Sequence, residues 1–255
     1  MGKRGKTGRL KRLPAPKIWP IHRRELVWAV KPSAGPHSLQ NCLPLALVLR
    51  DILKVARTRK EAKTIISQGK VYVDGKVRRR DDFPIGLMDV IAIPEVDKAF
   101  RVMPSHKGLS LNPISKEEAT FKLCRVEDKT IVAHNHLQFA LHDGSNILVK
   151  PNEAENLQGT VYETFDVIKV SLPDKQVLDH LKIKEGNIAI ITGGKNMGKH
   201  GRIIDIEKTK AKKRKNALVV IEDENGHRYQ TILDFVFSIG TTQPLISITE
   251  AIPPV

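Results

Sequence analysis

The sequence predicts a multi-domain α+β protein: a small helix–helix–hairpin module followed by an all-β middle domain and a further small β-barrel. Three observations carry this. Apolar residues recur at helical spacing only between Pro44 and Gly69. Short runs rich in Val and Ile, broken by Gly-containing turns, crowd residues 118–172 and 183–240. Before the first helix lie 41 residues with no helical period and with Pro14, Pro16, Pro20, Pro32 and Pro36, which rule out a long helix.

Residues 1–41 are a basic arm that opens MGKRGKTGRLKR. Alone in water it is expected to be extended and to order only on a partner. Trp19 and Trp28 are the only tryptophans and lie in its second half. Both are expected to anchor it, on the next domain or on a base. Residues 42–107 form the helical module. Leu45, Val48, Leu49, Ile52 and Leu53 share one face of a helix begun by Pro44. A second helix starts at Thr58, which makes a capping box with Glu61; Ala62, Ile65 and Ile66 are its apolar side and Gly69 closes it. Val71 to Val77 reads as a hairpin around a type I′ turn at Asp74-Gly75. Extended chain follows through Leu87–Ile93.

Residues 108–177 are expected to be an all-β central domain. Its strands are Phe121–Val126, Ile131–Ala133, His136–Leu141, Ile147–Val149 and Val161–Val170, with turns at Glu127-Asp128 and Asp143-Gly144. Residues 178–240 are expected to form the small barrel, from Ile188–Thr192, Arg202–Ile206, Leu218–Ile221 and Tyr229–Leu233, with a hairpin turn at Asn225-Gly226. Residues 241–255 form a C-terminal tail with no predicted element.

Composition bounds the function. The chain has 255 residues, 40% of them hydrophobic, enough for two or three real cores. Lys and Arg number 43 against 28 Asp and Glu, a net charge of +15. The expected partner is anionic: nucleic acid first, an acidic membrane surface second. No run of about 18 apolar residues suggests a membrane span, and no apolar h-region follows the basic start. Cys42 and Cys124 are too few for a four-Cys zinc site and read as two buried reduced thiols of a cytosolic protein.

The charge is concentrated. Residues 1–31 are net +9, 50–80 net +8 and 195–215 net +7, so the rest of the chain is net −9. Three blocks suggest three contact surfaces on one polyanion. In the arm the candidates are Lys3, Arg4, Lys6, Arg9, Lys11, Arg12 and Lys17. In the module, Arg57, Arg59, Lys60 and Lys63 surround the second helix, and Lys70, Lys76, Arg78, Arg79 and Arg80 lie on or near the hairpin. A helix with one apolar and one cationic side packs inward and faces phosphate outward. The competing reading is a solvated charged face. Only Asp51, Glu61 and Asp74 oppose eleven bases in this block, too few for internal pairing.

The run Thr58-Arg59-Lys60-Glu61-Ala62, with Gly69, Val73-Asp74-Gly75-Lys76-Val77 and Leu87-Met88-Asp89-Val90-Ile91, resembles the S-four (S4) RNA-binding domain. The resemblance implies that the second helix and the hairpin face RNA. The same module occurs in pseudouridine synthases and tyrosyl-tRNA synthetases, so it implies no reaction.

Gly193, Gly198 and Lys199 nearly spell a phosphate-binding P-loop. His200 stands where the magnesium-ligating hydroxyl belongs, and the strand-like Arg202–Ile206 follows where a helix should start. The NTPase reading fails on both counts. The segment instead resembles the KOW motif, in which a Gly/Lys loop joins two strands of an SH3-like barrel. Lys195, Lys199 and Arg202 would supply its charge, and the glycines would let backbone approach backbone or phosphate. Lys208, Lys210, Lys212, Lys213 and Arg214 follow in KTKAKKRK, which reads as an RNA-contacting loop, a nuclear import signal or a flexible tip. In His134-Asn135-His136 two imidazoles would share a strand face, but no Cys or carboxylate ligand of evident spacing lies near, and a surface pair is the simpler reading.

No nucleophile–base pairing, zinc-protease pattern or Rossmann glycine pattern occurs, so no catalytic residue, metal or cofactor is expected. Basic arm, S4 module, all-β middle and KOW barrel, in that order, are similar to the archaeal and eukaryotic S-four-e (S4e) family of small-subunit ribosomal proteins. Leu10 to Trp19, Gly35-Pro36-His37-Ser38-Leu39 and Cys42-Leu43-Pro44-Leu45 continue the likeness; the long loop Thr209–Asn216 departs from it. The resemblance implies a non-catalytic structural protein of the cytoplasmic ribosome. Its implied partners are small-subunit ribosomal RNA and neighbouring ribosomal proteins, with no membrane and no small-molecule substrate. Aromatic residues are 5% of the chain, too few for extensive stacking, so recognition by shape and backbone is expected. The alternatives are an RNA-modifying enzyme or a translation or transcription factor that reuses these modules. A deep pocket with a strongly perturbed buried Asp or His in 110–180 would favour the enzyme.

Overall fold

The computed structural model describes residues 9–149, 162–207 and 214–248. Over residues 9–41 the arm is folded, contrary to the expectation that it orders only on a partner. β1 (Leu10–Lys11) pairs antiparallel with β2 (Trp28–Ala29). Ala15, Trp19 and Val30 are buried in the core of the module. The Trp19 indole donates to the Cys42 carbonyl at 2.7 Å. An irregular chain leaves carbonyls without partners, and two arginines supply the missing donors. Arg23 donates to the carbonyls of Arg12, Leu13, Ala15 and Pro16 at 2.8–3.2 Å. Arg12 is buried and donates to the His22 carbonyl at 2.7 Å.

β3 (Cys42–Pro44) leads into α1 (Leu45–Leu47), which continues as a π-helical turn over Val48–Ile52. Ala46 and Leu47 are buried along with Leu45, Val48, Leu49 and Ile52, so this helix is enclosed except along Arg50, Asp51 and Leu53, which are partly buried. α2 (Arg59–Ser67) has the predicted N-cap: Thr58 Oγ1 accepts from the Glu61 N–H at 3.2 Å. The Glu61 carboxylate reaches back to the Arg57 N–H at 2.9 Å, and this bond holds its pKa below the ordinary carboxylate range. Gly69, at φ +80, ends the helix. β4 (Tyr72–Val73) and β5 (Lys76–Val77) form the predicted hairpin. Asp74 and Gly75 both have positive φ, as a type I′ turn demands.

β6 (Pro84–Gly86) pairs with β3. β7 (Val90–Ile93), β8 (Lys98–Ser105) and β9 (Gly108–Ile114) join the hairpin in one sheet of order β5-β4-β7-β8-β9. β9 pairs with β8 along its length, from Ala99↔Ile114 to Ser105↔Gly108. The expected boundary at 107/108 therefore cuts a hairpin, and the first unit runs to Ile114.

The second sheet comprises β10 (Phe121–Val132), β11 (His136–Leu141), β12 (Asn146–Val149), β13 (Val167–Ser171) and β14 (Val177–Leu181), in the order β12-β11-β10-β13-β14. The turn expected at Glu127-Asp128 is a bulge: Val126 pairs with Leu141 and Asp128 with Ala140, which leaves Glu127 extra. Two expected strands are thus one. The reversal comes later, at His134 and Asn135, both in left-handed conformation. β14 pairs with β13, so this unit extends to Leu181 and not to 177. Of the strand expected at Val161–Val170, Val161 lies outside the described residues and pairing begins at Val167.

The third sheet comprises β15 (Ile188–Ile191), β16 (His200–Glu207), β17 (Leu218–Glu222), β18 (Arg228–Ile232) and β19 (Val236–Gly240), in the order β18-β17-β16-β15-β19. Asn225-Gly226 makes the expected turn between β17 and β18, with Gly226 at φ +77.

The three units are not independent beads. Met88 and Met103 from the first, Leu123, Val167 and Leu181 from the second, and Ile190, Phe237 and Ile239 from the third share one apolar cluster. Beside it Lys122, fully buried, donates to Asp89 at 2.5 Å, Asp74 at 2.8 Å and Asp143 at 3.3 Å. Asp89 also accepts from His37 of the arm, at 3.0 Å, and Asp143 from Lys175 at 2.8 Å. One ionic cluster thus ties arm, hairpin turn and second sheet together.

Gly108 fixes the arm. A Cβ there would lie 2.1 Å from the Ile18 carbonyl oxygen, and φ is +126. The same oxygen accepts from the Leu109 N–H at 3.1 Å. Gly108→Ala is expected to lift the Ile18 segment and cost about 2–4 kcal/mol. In a Trp28→Phe background its fluorescence should report exposure of Trp19 by a red shift; an unshifted spectrum would refute this docking.

Candidate nucleic-acid interface

On α2, Ala62 and Ile66 are buried while Arg59, Lys60 and Lys63 lie on the exposed side. The hairpin abuts the end of this helix: a Cβ on Gly69 would meet Val77 at 3.2 Å and the Arg79 guanidinium at 3.5 Å. The helix face and the hairpin therefore form one surface.

The free charge on that surface is smaller than the sequence suggests. Asp81 and Asp82 lie just beyond the block first counted. Arg59 pairs with Asp81 at 2.9 Å and Arg80 with Asp82 at 3.0 Å. Lys70 pairs with Glu95 at 2.9 Å, and Arg78 stacks on Phe83 at 4.4 Å. The expectation that internal pairing would be negligible is thus corrected. Arg57, Lys60, Lys63, Lys76 and Arg79 are exposed and make no ion pair among the described residues.

The arm candidates divide. Lys3, Arg4 and Lys6 lie outside the described residues. Arg9, Lys11 and Lys17 are exposed. Arg12 is not available to RNA: it is 1% exposed, with Glu25 at 3.5 Å and Asp51 at 3.8 Å. Arg23 carried no special signal in the sequence, because its partners are carbonyls that only the folded arm gathers.

The Gly/Lys loop spans residues 192–199 between antiparallel β15 and β16. No helix follows it, which removes the P-loop geometry. Gly193 and Gly194 lie against the Phe235 ring, and a Cβ on Gly198 would meet the Ser105 backbone at 2.8 Å. These glycines serve close packing within the protein. Lys195, Lys199 and Arg202 are exposed around them. Lys208, Lys210, Lys212 and Lys213 lie outside the described residues. Arg214 is exposed and pairs with Glu163 at 2.8 Å.

A cleft of about 760 Å³ opens where the units meet, lined by Lys17, His37, His106, Lys107, His142 and Phe235 among others. His142 meets part of the condition set for an enzyme, since burial and the nearby Lys122 push its pKa down to about 3. Its hydrogen bonds argue against proton transfer. Nδ1 accepts from the Arg125 N–H at 3.1 Å and Nε2 donates to the Leu87 carbonyl at 3.0 Å. Both nitrogens of the neutral ring are spent on backbone, so a proton could be exchanged only by breaking the fold there. Burial, with Asp89 nearby, pushes the Cys42 thiol up to about 12, and burial raises Cys124 too. Neither offers a thiolate nucleophile. His134 and His136 stand 6.0 Å apart at the tip of a hairpin, not side by side along a strand. Among the described residues no group of three His, Cys, Asp or Glu is placed to hold a metal. No helix among the described residues is long and apolar enough to cross a membrane.

The comparisons with known proteins cover almost the whole chain. Residues 96–177 match the model described as ribosomal family S4e, residues 43–91 the S4 domain, and residues 4–40 the RS4NT (NUC023) domain. The small ribosomal subunit protein eS4 of Desulfurococcus amylolyticus is 46% identical over 251 residues, which are 98% of this chain and 99% of that protein. The protein of the same name from Staphylothermus marinus is 44% identical with the same coverage. The crystal structure of the 30S ribosomal protein S4e from Thermoplasma acidophilum is similar at a TM-score of 0.65 and 32% identity, covering 79% of this chain and 96% of that one.

Proposed function

The chain belongs to ribosomal family S4e, and from that premise we propose that it is a structural, non-catalytic constituent of the small subunit of the cytoplasmic ribosome that holds folded ribosomal RNA through phosphate contacts. The observation that carries the RNA reading is the joined surface of α2 and the hairpin. There Lys60, Lys63, Lys76 and Arg79 are exposed and unpaired within the segment that matches the S4 domain. Phosphates supply the counter-charge that the chain withholds, and each contact releases counterions. The exposed Arg9, Lys11 and Lys17 extend the contact along the arm.

We read β15–β19 as a KOW-type SH3-like barrel. Its support is the strand–Gly/Lys loop–strand unit and the short 3-10 turn Leu233–Phe235 before the last strand. Lys195, Lys199 and Arg202 form its RNA-facing side, and Lys208, Lys210, Lys212, Lys213 and Arg214, next in sequence, add charge. The second sheet is the spacer, facing solvent or a protein neighbour. Sedimentation of cell extract in high salt tests the assignment: the protein should remain with small subunits, and recovery in the free soluble fractions would refute it.

A further inference from the structure

We propose that Trp28 is a stacking platform for one unpaired RNA base, with Arg9 and Lys11 holding the flanking phosphates. This rests on the reading that the chain binds ribosomal RNA, and it names one site within that contact. The two tryptophans have parted roles. Trp19 is 2% exposed with its indole N–H engaged, whereas Trp28 is 51% exposed. The ribbon β1–β2 has two faces. Leu10 and Ala29, paired across it, pack against the core of the first unit. Lys11 and Trp28, also paired across it, face away, and Arg9 is on the same side as Lys11 by strand alternation. The Arg9 guanidinium and the Lys11 ammonium each lie 6.0 Å from the ring centre. That is the outer limit of a cation–π contact, so the ring is not closed over.

A large, half-exposed indole costs solvent ordering unless a partner covers it. An apolar protein partner would cover the ring but leave both cations desolvated and unpaired. A nucleotide offers a π-face for the indole and phosphates for the cations. Glu25 is the only acid in residues 1–31 and lies 3.5 Å from Arg12, and among the described residues neither Arg9 nor Lys11 pairs with a carboxylate.

The test uses the full chain and a small-subunit ribosomal RNA transcript. Trp28→Ala should bind about 5- to 150-fold more weakly, with the salt slope unchanged, because stacking releases no counterions. Trp28→Phe should retain most of the affinity. Acrylamide quenching of the wild-type protein, dominated by exposed Trp28, should fall on RNA binding. Equal affinity of wild type and Trp28→Ala would overturn the inference while leaving the RNA reading intact. Failure of the wild type to bind the transcript would overturn that reading itself. If Trp28 stays quenchable in the RNA complex and is shielded only in assembled subunits, its partner is a protein and the proposal fails.

Discussion

Lys122→Met is expected to destabilise the protein by about 3–5 kcal/mol, a large share of the roughly 5–15 kcal/mol that holds a typical domain together. The side chain is fully buried among Asp74, Asp89 and Asp143. Methionine keeps the volume but removes the charge, leaving three carboxylates with Lys175 and His37 as their nearest counterweights. The cost is the uncompensated burial of charge, not the loss of a contact. Because the cluster spans the arm, the hairpin turn and the second sheet, the loss should be cooperative: thermal unfolding followed by tryptophan fluorescence and by far-UV dichroism should shift together. A shift below about 1 kcal/mol would show that water enters and rescues the site.

The same cluster gives the acid limb a sign. Burial alone would raise the pKa of Asp89 and Asp143. Burial is the largest single influence on each, yet Lys122 together with His37 at Asp89, and with Lys175 and Ser145 at Asp143, outweighs it, so each is held below its ordinary value. Their stabilisation is present above the unfolded carboxylate range and disappears as pH falls below about 4. Asp74 runs the other way: burial and Asp89 raise it, so its contribution falls as pH rises through its folded value. His142 adds to the acid loss. With its folded value near 3, its contribution is complete above about 6.5 and declines as pH falls from there.

Local chemistry was legible from residues a few positions apart. The Thr58 cap, the Gly69 stop, the Asp74-Gly75 turn and the first four strands of the third unit each depend on neighbours in the chain, whereas its fifth strand, Val236–Gly240, escaped. What escaped depends on partners far away. Glu127-Asp128 has turn-like residues, yet one extra residue in a long strand satisfies the same composition as a bulge. His134 and His136 read as a pair on one strand face until the chain reverses at His134 and Asn135. The unit boundaries failed at 107/108 and at 177 because a tight hairpin and an edge strand join sheets by hydrogen bonds that no composition shift announces. Among the candidate site residues, nothing near Arg12 in the sequence shows that it is enclosed by His22 and Glu25. Likewise Arg59 differs from Lys60 only through Asp81, 22 residues on.

That distinction among equal charges gives the second large effect. Replacing Lys60, Lys63, Lys76 and Arg79 together by Ala should reduce the salt slope of ribosomal RNA binding by about 3. Each lost phosphate contact removes about 0.7–0.9 from the slope, and the affinity loss at moderate salt should be about 100-fold or more. The paired residues behave differently. Arg59 with Asp81, and Arg80 with Asp82, present almost no net charge, so the double replacements Arg59→Ala with Asp81→Asn and Arg80→Ala with Asp82→Asn remove no net cation. Their slopes should stay near that of the wild type. Exposed pairs are worth at most about 1 kcal/mol, so the fold should tolerate them. A slope that falls by about one for each pair removed would mean that phosphate displaces the aspartates on binding. An unchanged slope in the quadruple variant would reduce the α2–hairpin surface to a solvated face and move the RNA contact to the arm and the third sheet.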